Sequence, residues 1–123
     1  MTVTDTQLNE LAKALKGDAY TYPQYASVGT GSVSTIETTA TAITGEIDND
    51  IALTAARTNN QVSWTGLRSG ADVLDTTNGD SITNAGALDA TSGGTLHFGA
   101  IVAGVTHTTA FDLEFVYDIT VNR

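Results

Sequence analysis

"FDLEFVYDITV", residues 111–121, is the stretch that decides the fold. Phe111, Leu113, Phe115, Tyr117, Ile119 and Val121 fall on every second position, and Asp112, Glu114 and Asp118 stand between them with Val116 and Thr120. In an extended chain successive side chains point to opposite faces, so a period of two gives one apolar face and one largely wet face. The spacing predicts a long antiparallel strand over 110–122, with Phe111 to Val121 inward and the acids outward. A slip of one residue would bury three carboxylates, so the register is strongly specified.

The chain around this strand speaks the same language from Gly17 onward. Thr, Val, Ile and aromatic residues are frequent, and Gly, Asn and Asp punctuate them. Further strands are predicted over 24–28, 41–47, 51–54, 61–67, 81–88 and 95–102. Turns are predicted at Asn49-Asp50, Asn59-Asn60, Asn78-Gly79-Asp80 and Ser92-Gly93-Gly94, where positive φ is easily adopted. This spacing points to a mainly β protein, an antiparallel β-sandwich or jelly roll, with one short N-terminal helix. At 123 residues the chain is read as one domain, with the helix over 4–16 and the sandwich over 20–123.

The helix is predicted from Leu8, Leu11, Ala12 and Leu15, which make one apolar stripe at helical spacing. Thr4 and Gln7 fit a capping box, Lys13 and Lys16 complement the helix dipole, and Gly17 fits a C-cap. So short a helix is marginal alone. The stripe is expected to dock on the chain's own sheet or on another subunit.

Fourteen acids against five bases give a net charge of −9, and the only lysines are Lys13 and Lys16. Nucleic acid is therefore not an expected partner, because no basic patch can be assembled to meet a phosphate backbone. An acidic, lysine-poor surface with 22 threonines suits a protein that stays hydrated in concentrated salt, where acid–acid repulsion is screened, so a halophilic source is expected. No apolar run approaches the roughly 20 residues of a membrane span, and the polar, acidic N-terminus does not read as a secretory signal. Cysteine is absent, which removes disulfides and thiolate chemistry.

Few residues suggest chemistry. Gly29-Thr30-Gly31 resembles a phosphate loop only superficially: no helix and no lysine follow, so it reads as a tight bend. Glu46, Asp48 and Asp50 alternate and are weak candidates for a cation site, though a calcium loop needs more oxygens on a curved chain. They read more simply as a solvated acidic face. Asp75, Asn78 and Asp80 are explained by the Asn-Gly turn. His97 reads as a hydrogen-bonded strand or interface histidine, and His107 as a loop residue. No nucleophile elbow is present, so no enzyme activity and no cofactor are expected. Trp64 reads as an anchor of the core or of a subunit interface. Tyr20, Tyr22 and Tyr25 around Pro23 offer a further binding surface.

The order of three features resembles a known family. A helix is followed by Pro23 and Gly29-Thr30-Gly31. Then come Ile82-Thr83-Asn84-Ala85-Gly86-Ala87-Leu88-Asp89-Ala90 and Ser92-Gly93-Gly94-Thr95-Leu96, and the chain closes on the alternating strand. This resembles a family of small virion structural proteins of tailed double-stranded DNA viruses, in which a strand of the form Ile-Thr-Glu-x-Gly-Leu-Phe-Asp-Ala precedes a Ser-Gly-Gly turn. Here Asn84 stands where the family has Glu, and Ala87 and Leu88 where it tends to have Leu and Phe. The resemblance implies a non-enzymatic component of the virion, and with the acidic composition a haloarchaeal tailed virus as its source. It implies a capsid-surface decoration or turret protein, a homo-oligomer on the shell in contact with the major capsid protein. Leu8, Leu11, Leu15, Tyr22, Tyr25 and Trp64 are then the candidate interface residues. A place in the tail or baseplate as a fibre-attachment protein is the alternative. A third reading, a carbohydrate-binding module meeting host-surface glycans, would need Trp64 and Tyr25 to form an exposed platform.

Overall fold

The computed structural model describes residues 1–70 and 81–122. It is mainly β, with two antiparallel sheets and one helix. The first sheet has the order β1-β7-β6-β2-β3, from β1 (Thr2–Val3), β7 (Leu96–Val105), β6 (Ile82–Leu88), β2 (Tyr25–Gly29) and β3 (Glu46–Ala52). The second has the order β4-β5-β8, from β4 (Thr54–Thr58), β5 (Gln61–Arg68) and β8 (Leu113–Thr120). The helix α1 spans Asp5–Lys16.

The final strand keeps the expected register. Phe115 and Tyr117 are buried, Leu113 and Ile119 half-buried, and Asp112, Glu114 and Asp118 exposed. Phe111 and Val121 lie beyond its ends and are exposed, which corrects the expected inward row at both termini. β8 pairs along its whole length with β5, from Gln61 opposite Thr120 to Arg68 opposite Leu113. The Asn59-Asn60 turn joins β4 to β5 as expected, with Asn59 at φ 53°. Gly93 sits at φ 67° between β6 and β7. The turn expected at Asn78-Gly79-Asp80 and the residue Asp75 lie outside the described residues.

The core between the sheets joins small residues to large ones. The first sheet contributes Ala26, Val28, Ile51, Ala85, Ala87 and Phe98; the second contributes Trp64, Phe115 and Tyr117. Phe98 stands between Trp64 and Tyr117, with ring centroids 5.2 and 5.0 Å away and tilted planes. The Tyr117 hydroxyl crosses to the other sheet and donates to the Gly86 carbonyl at 3.1 Å. Burial pushes its phenol pKa well above the ordinary value.

The first sheet is also covered on its outer face, by α1 and by the segment 30–45. Ile43, Leu88 and Leu96 form a second cluster there, flanked by Ile36 and Ala40. The strand expected over 41–47 begins only at Glu46, because Gly45 takes φ +64° and Thr44 is held by other partners. The strand expected over 51–54 divides: β3 ends at Ala52, Leu53 donates its N–H to Gln24, and β4 starts at Thr54. Asn49 and Asp50 lie inside β3 at an irregularity in its pairing with β2, so no turn forms there.

Candidate functional site

Gly29-Thr30-Gly31 is the end of a strand brought against the returning chain. Thr30 N–H donates to Gly45 O and Gly31 N–H to Thr44 O. A Cβ on Gly29 would lie 2.7 Å from Ile43 Cγ2, and one on Gly31 2.7 Å from Thr44 Cγ2. The chain bends at Gly31, where strand gives way to loop, as expected; neither glycine has positive φ, so close approach is what requires glycine there. The residues that hold this closure were not singled out by the sequence. The fully buried Asn84 accepts from Thr44 N–H through Oδ1 and donates to Thr44 O through Nδ2, both at 3.0 Å. Thr83 Oγ1 donates to Gly31 O at 2.6 Å. A compact surface loop closed at its neck results.

The helix docks by its polar side. Thr4 caps it, accepting from Gln7 N–H, and its hydroxyl faces the carbonyls of Leu96 and His97 at 2.7 and 2.9 Å. The Gln7 side chain does not complete a capping box. It turns to the sheet, with Oε1 2.6 Å from His97 Nδ1. Glu10 accepts from Thr21 N–H at 2.6 Å and from Lys13 at 2.7 Å. The Lys13 ammonium and the Thr21 N–H together hold its carboxyl below the usual carboxylate range. Gly17, at φ 91°, ends the helix as expected.

His97 is the hub beneath the helix and is wholly buried. Its Nε2 lies 3.2 Å from Asp89 Oδ2 and 3.5 Å from Thr21 Oγ1. Burial pushes the Asp89 carboxyl up, but hydrogen bonds from Thr95 N–H and His97 bring it below the ordinary value. The group ties α1, the segment before β2 and the β6–β7 turn together, and a ring with no exposed surface offers nothing to a ligand. His107 is also buried, stacked on Phe111 at 5.6 Å and bonded to its carbonyl.

Of the acidic trio of β3, Asp48 is drawn into the sandwich, while Glu46 and Asp50 stay exposed as expected. Arg68 of β5 reaches across to Asp48 at 2.8 Å and also pairs with Asp50. Burial and the neighbouring Asp50 raise the Asp48 carboxyl; its hydrogen bonds with Asp48 and Arg68 lower Asp50. Glu46 accepts from Ser27 and Asn49. Asp48 and Asp50 thus share Arg68, while Glu46 is held by Ser27 and Asn49. Among the described residues no group of three or more His, Cys, Asp or Glu is placed to hold a metal ion.

Of the candidate interface residues, Trp64 belongs to the core: it is 7% exposed and packed on Phe98. It is therefore neither an interface anchor nor a stacking platform. Tyr25 is half-buried in β2, while Tyr22 and its neighbour Tyr20 are exposed, with ring centroids 6.4 Å apart. Because the polar side of α1 faces inward, the leucine stripe faces out. Leu8, Leu11 and Leu15 are 56, 41 and 83% exposed. No family model, no curated protein and no solved structure matches the chain.

Proposed function

We propose that this chain is a non-enzymatic structural component of a tailed virus particle, a decoration or turret protein that assembles as a homo-oligomer on the capsid shell. The observation that carries the assembly is the outward leucine stripe. Leu8, Leu11 and Leu15 lie exposed on a helix whose other side is fixed to the sheet by Thr4, Gln7 and Glu10. The helix cannot roll to hide them without breaking those bonds, so another molecule is what would cover them. The sequence resemblance described above supports the place in a virion.

Burying a leucine is worth about 1.5–3 kcal/mol, so Leu11→Asp with Leu15→Asp should weaken assembly by at least about 3 kcal/mol. Circular dichroism should stay unchanged, because both side chains lie outside the fold. Light scattering coupled to size-exclusion chromatography should then report a smaller species than the parent. A parent that is monomeric at every concentration, or a variant that loses its β signal, overturns the assembly reading. Immunogold labelling and mass spectrometry of separated heads and tails test the place in the particle. Label on tails assigns the chain to fibre attachment, and absence from purified particles overturns the virion reading.

A further inference from the structure

The two lateral sides of the sandwich are unequal. One is closed by the passage from β3 to β4 and by Arg68 bridging to Asp48 and Asp50. The other is open. β8 ends its sheet, and β1 covers β7 only at Phe98 and Gly99. Among the described residues no strand pairs with the outer edge of β8 or with that of β7 from Ala100 to Val105. Between these two edges lies a cavity of about 280 Å³, lined by Ile82, Ala85, Val102, Val105, Leu113 and Phe115, with Glu114 among its bounding residues.

We infer that this open side is a docking groove for an extended segment of a partner protein in which apolar residues alternate with Lys or Arg. An unpaired edge presents a row of N–H and C=O groups, a template on which an added strand gains main-chain hydrogen bonds. Alternate side chains of that strand would enter the apolar cavity, and those between them would meet the outward face of β8. The charge of that face selects the partner. The edges carry neither Pro nor a basic residue, and the outward face of β8 carries Glu114 and Asp118, preceded by Asp112.

A second copy of the chain suits this edge less well than a basic strand. Antiparallel strands that continue one sheet set side chains of the same face opposite each other. Pairing β8 with itself about Val116 sets Glu114 against Asp118, and about Phe115 it sets Asp112 against Asp118; pairing about Tyr117, with Glu114 opposite Thr120, avoids these clashes but still brings two acidic faces side by side. Like charges directly opposite destabilise, and each copy carries −9. The acids thus disfavour two of the central self-pairing registers and suit a basic strand. This inference stands apart from the virion reading and involves a different face from the leucine stripe.

The test uses capped synthetic peptides of about eight residues, within the ordinary range of strand lengths. One alternates valine with lysine, a second alternates valine with glutamate, and a third has the composition of the first with its valines in one block. Binding is measured by titration calorimetry at low salt, and the site is mapped by amide hydrogen exchange. In the free protein the outer-edge amides of β8 should exchange fast. The alternating lysine peptide should bind and protect them, and the other two should bind at least about tenfold more weakly. Glu114→Gln should reduce the preference for the lysine over the glutamate peptide, and Glu114→Lys should reduce it further. Edge amides of β8 already protected in the free protein, equal binding of all three peptides, or protection mapping elsewhere would each overturn the inference.

Discussion

Asn84→Ala isolates the closure of the 30–45 loop. Asn84 makes three side-chain hydrogen bonds, to Thr44 N at 3.0 Å, Thr44 O at 3.0 Å and Thr83 Oγ1 at 3.1 Å. Each such bond contributes about 1 kcal/mol net, and a buried group left unpaired loses about 1–3 kcal/mol. Thr44 is itself exposed, so water can reach its freed backbone groups and the larger penalty does not apply in full. The expected loss is therefore about 2–3 kcal/mol. For a chain of this length each kcal/mol moves Tm by about 3–5 °C, so Tm should fall by about 6–15 °C. Urea denaturation should show a lower midpoint with an unchanged slope, and limited proteolysis should cut first within 31–45. Stability within about 0.5 kcal/mol of the parent would refute the closure argument. The same loss without new cleavage in the loop would refute its attribution to the neck and assign it to core packing.

Arg68→Met should cost about 1–3 kcal/mol in urea denaturation. It leaves Asp48 without its bridge in a partly buried site, while the more exposed Asp50 regains water. Adding Asp48→Asn should recover part of that loss. Acid should weaken the attachment of the helix. Glu10 and Asp89 both have folded pKa values below their unfolded ones (about 4.3 for Glu and 3.9 for Asp), so their contribution is complete above those values and disappears as pH falls through the folded ones. Stability should thus drop below about pH 4, and Glu10→Gln should flatten part of that drop. Within the β3 pair the raised Asp48 and the lowered Asp50 act in opposite directions. Tm should rise from low to molar NaCl as the net charge of −9 is screened; a flat or falling Tm refutes the halophilic reading.

What was legible in the sequence was local. The alternation over 113–120 and the turn at Asn59-Asn60 fix β5 and β8 because both signals lie within a few residues. β6 was also legible, although its Ala and Gly residues are buried on both faces. The course of 30–45 was hidden because it depends on Asn84, about 40 positions from the Thr44 it holds. Of the acids of β3 only Asp48 departs from a solvated face, because its partner Arg68 stands on another sheet. Trp64 looked equally suited to a core and an interface, and only the approach of Phe98 decides between them.

The helix shows most plainly why pattern alone could not choose. It carries two stripes at the same spacing, Leu8, Leu11 and Leu15 on one side and Gln7, Glu10 and Ala14 on another. Docking the leucines would gain about 1.5–3 kcal/mol for each one fully buried. But the surface beneath the helix is polar: the His97 ring, the carbonyls of Leu96 and His97 and the Thr21 N–H all point at it. Covering those groups with leucine would leave several unpaired, at about 1–3 kcal/mol each, which offsets most of that gain. The polar stripe satisfies them and keeps the leucines free for a second surface. The orientation of α1 is thus set by the chemistry of β7, and the outward apolar face follows from it.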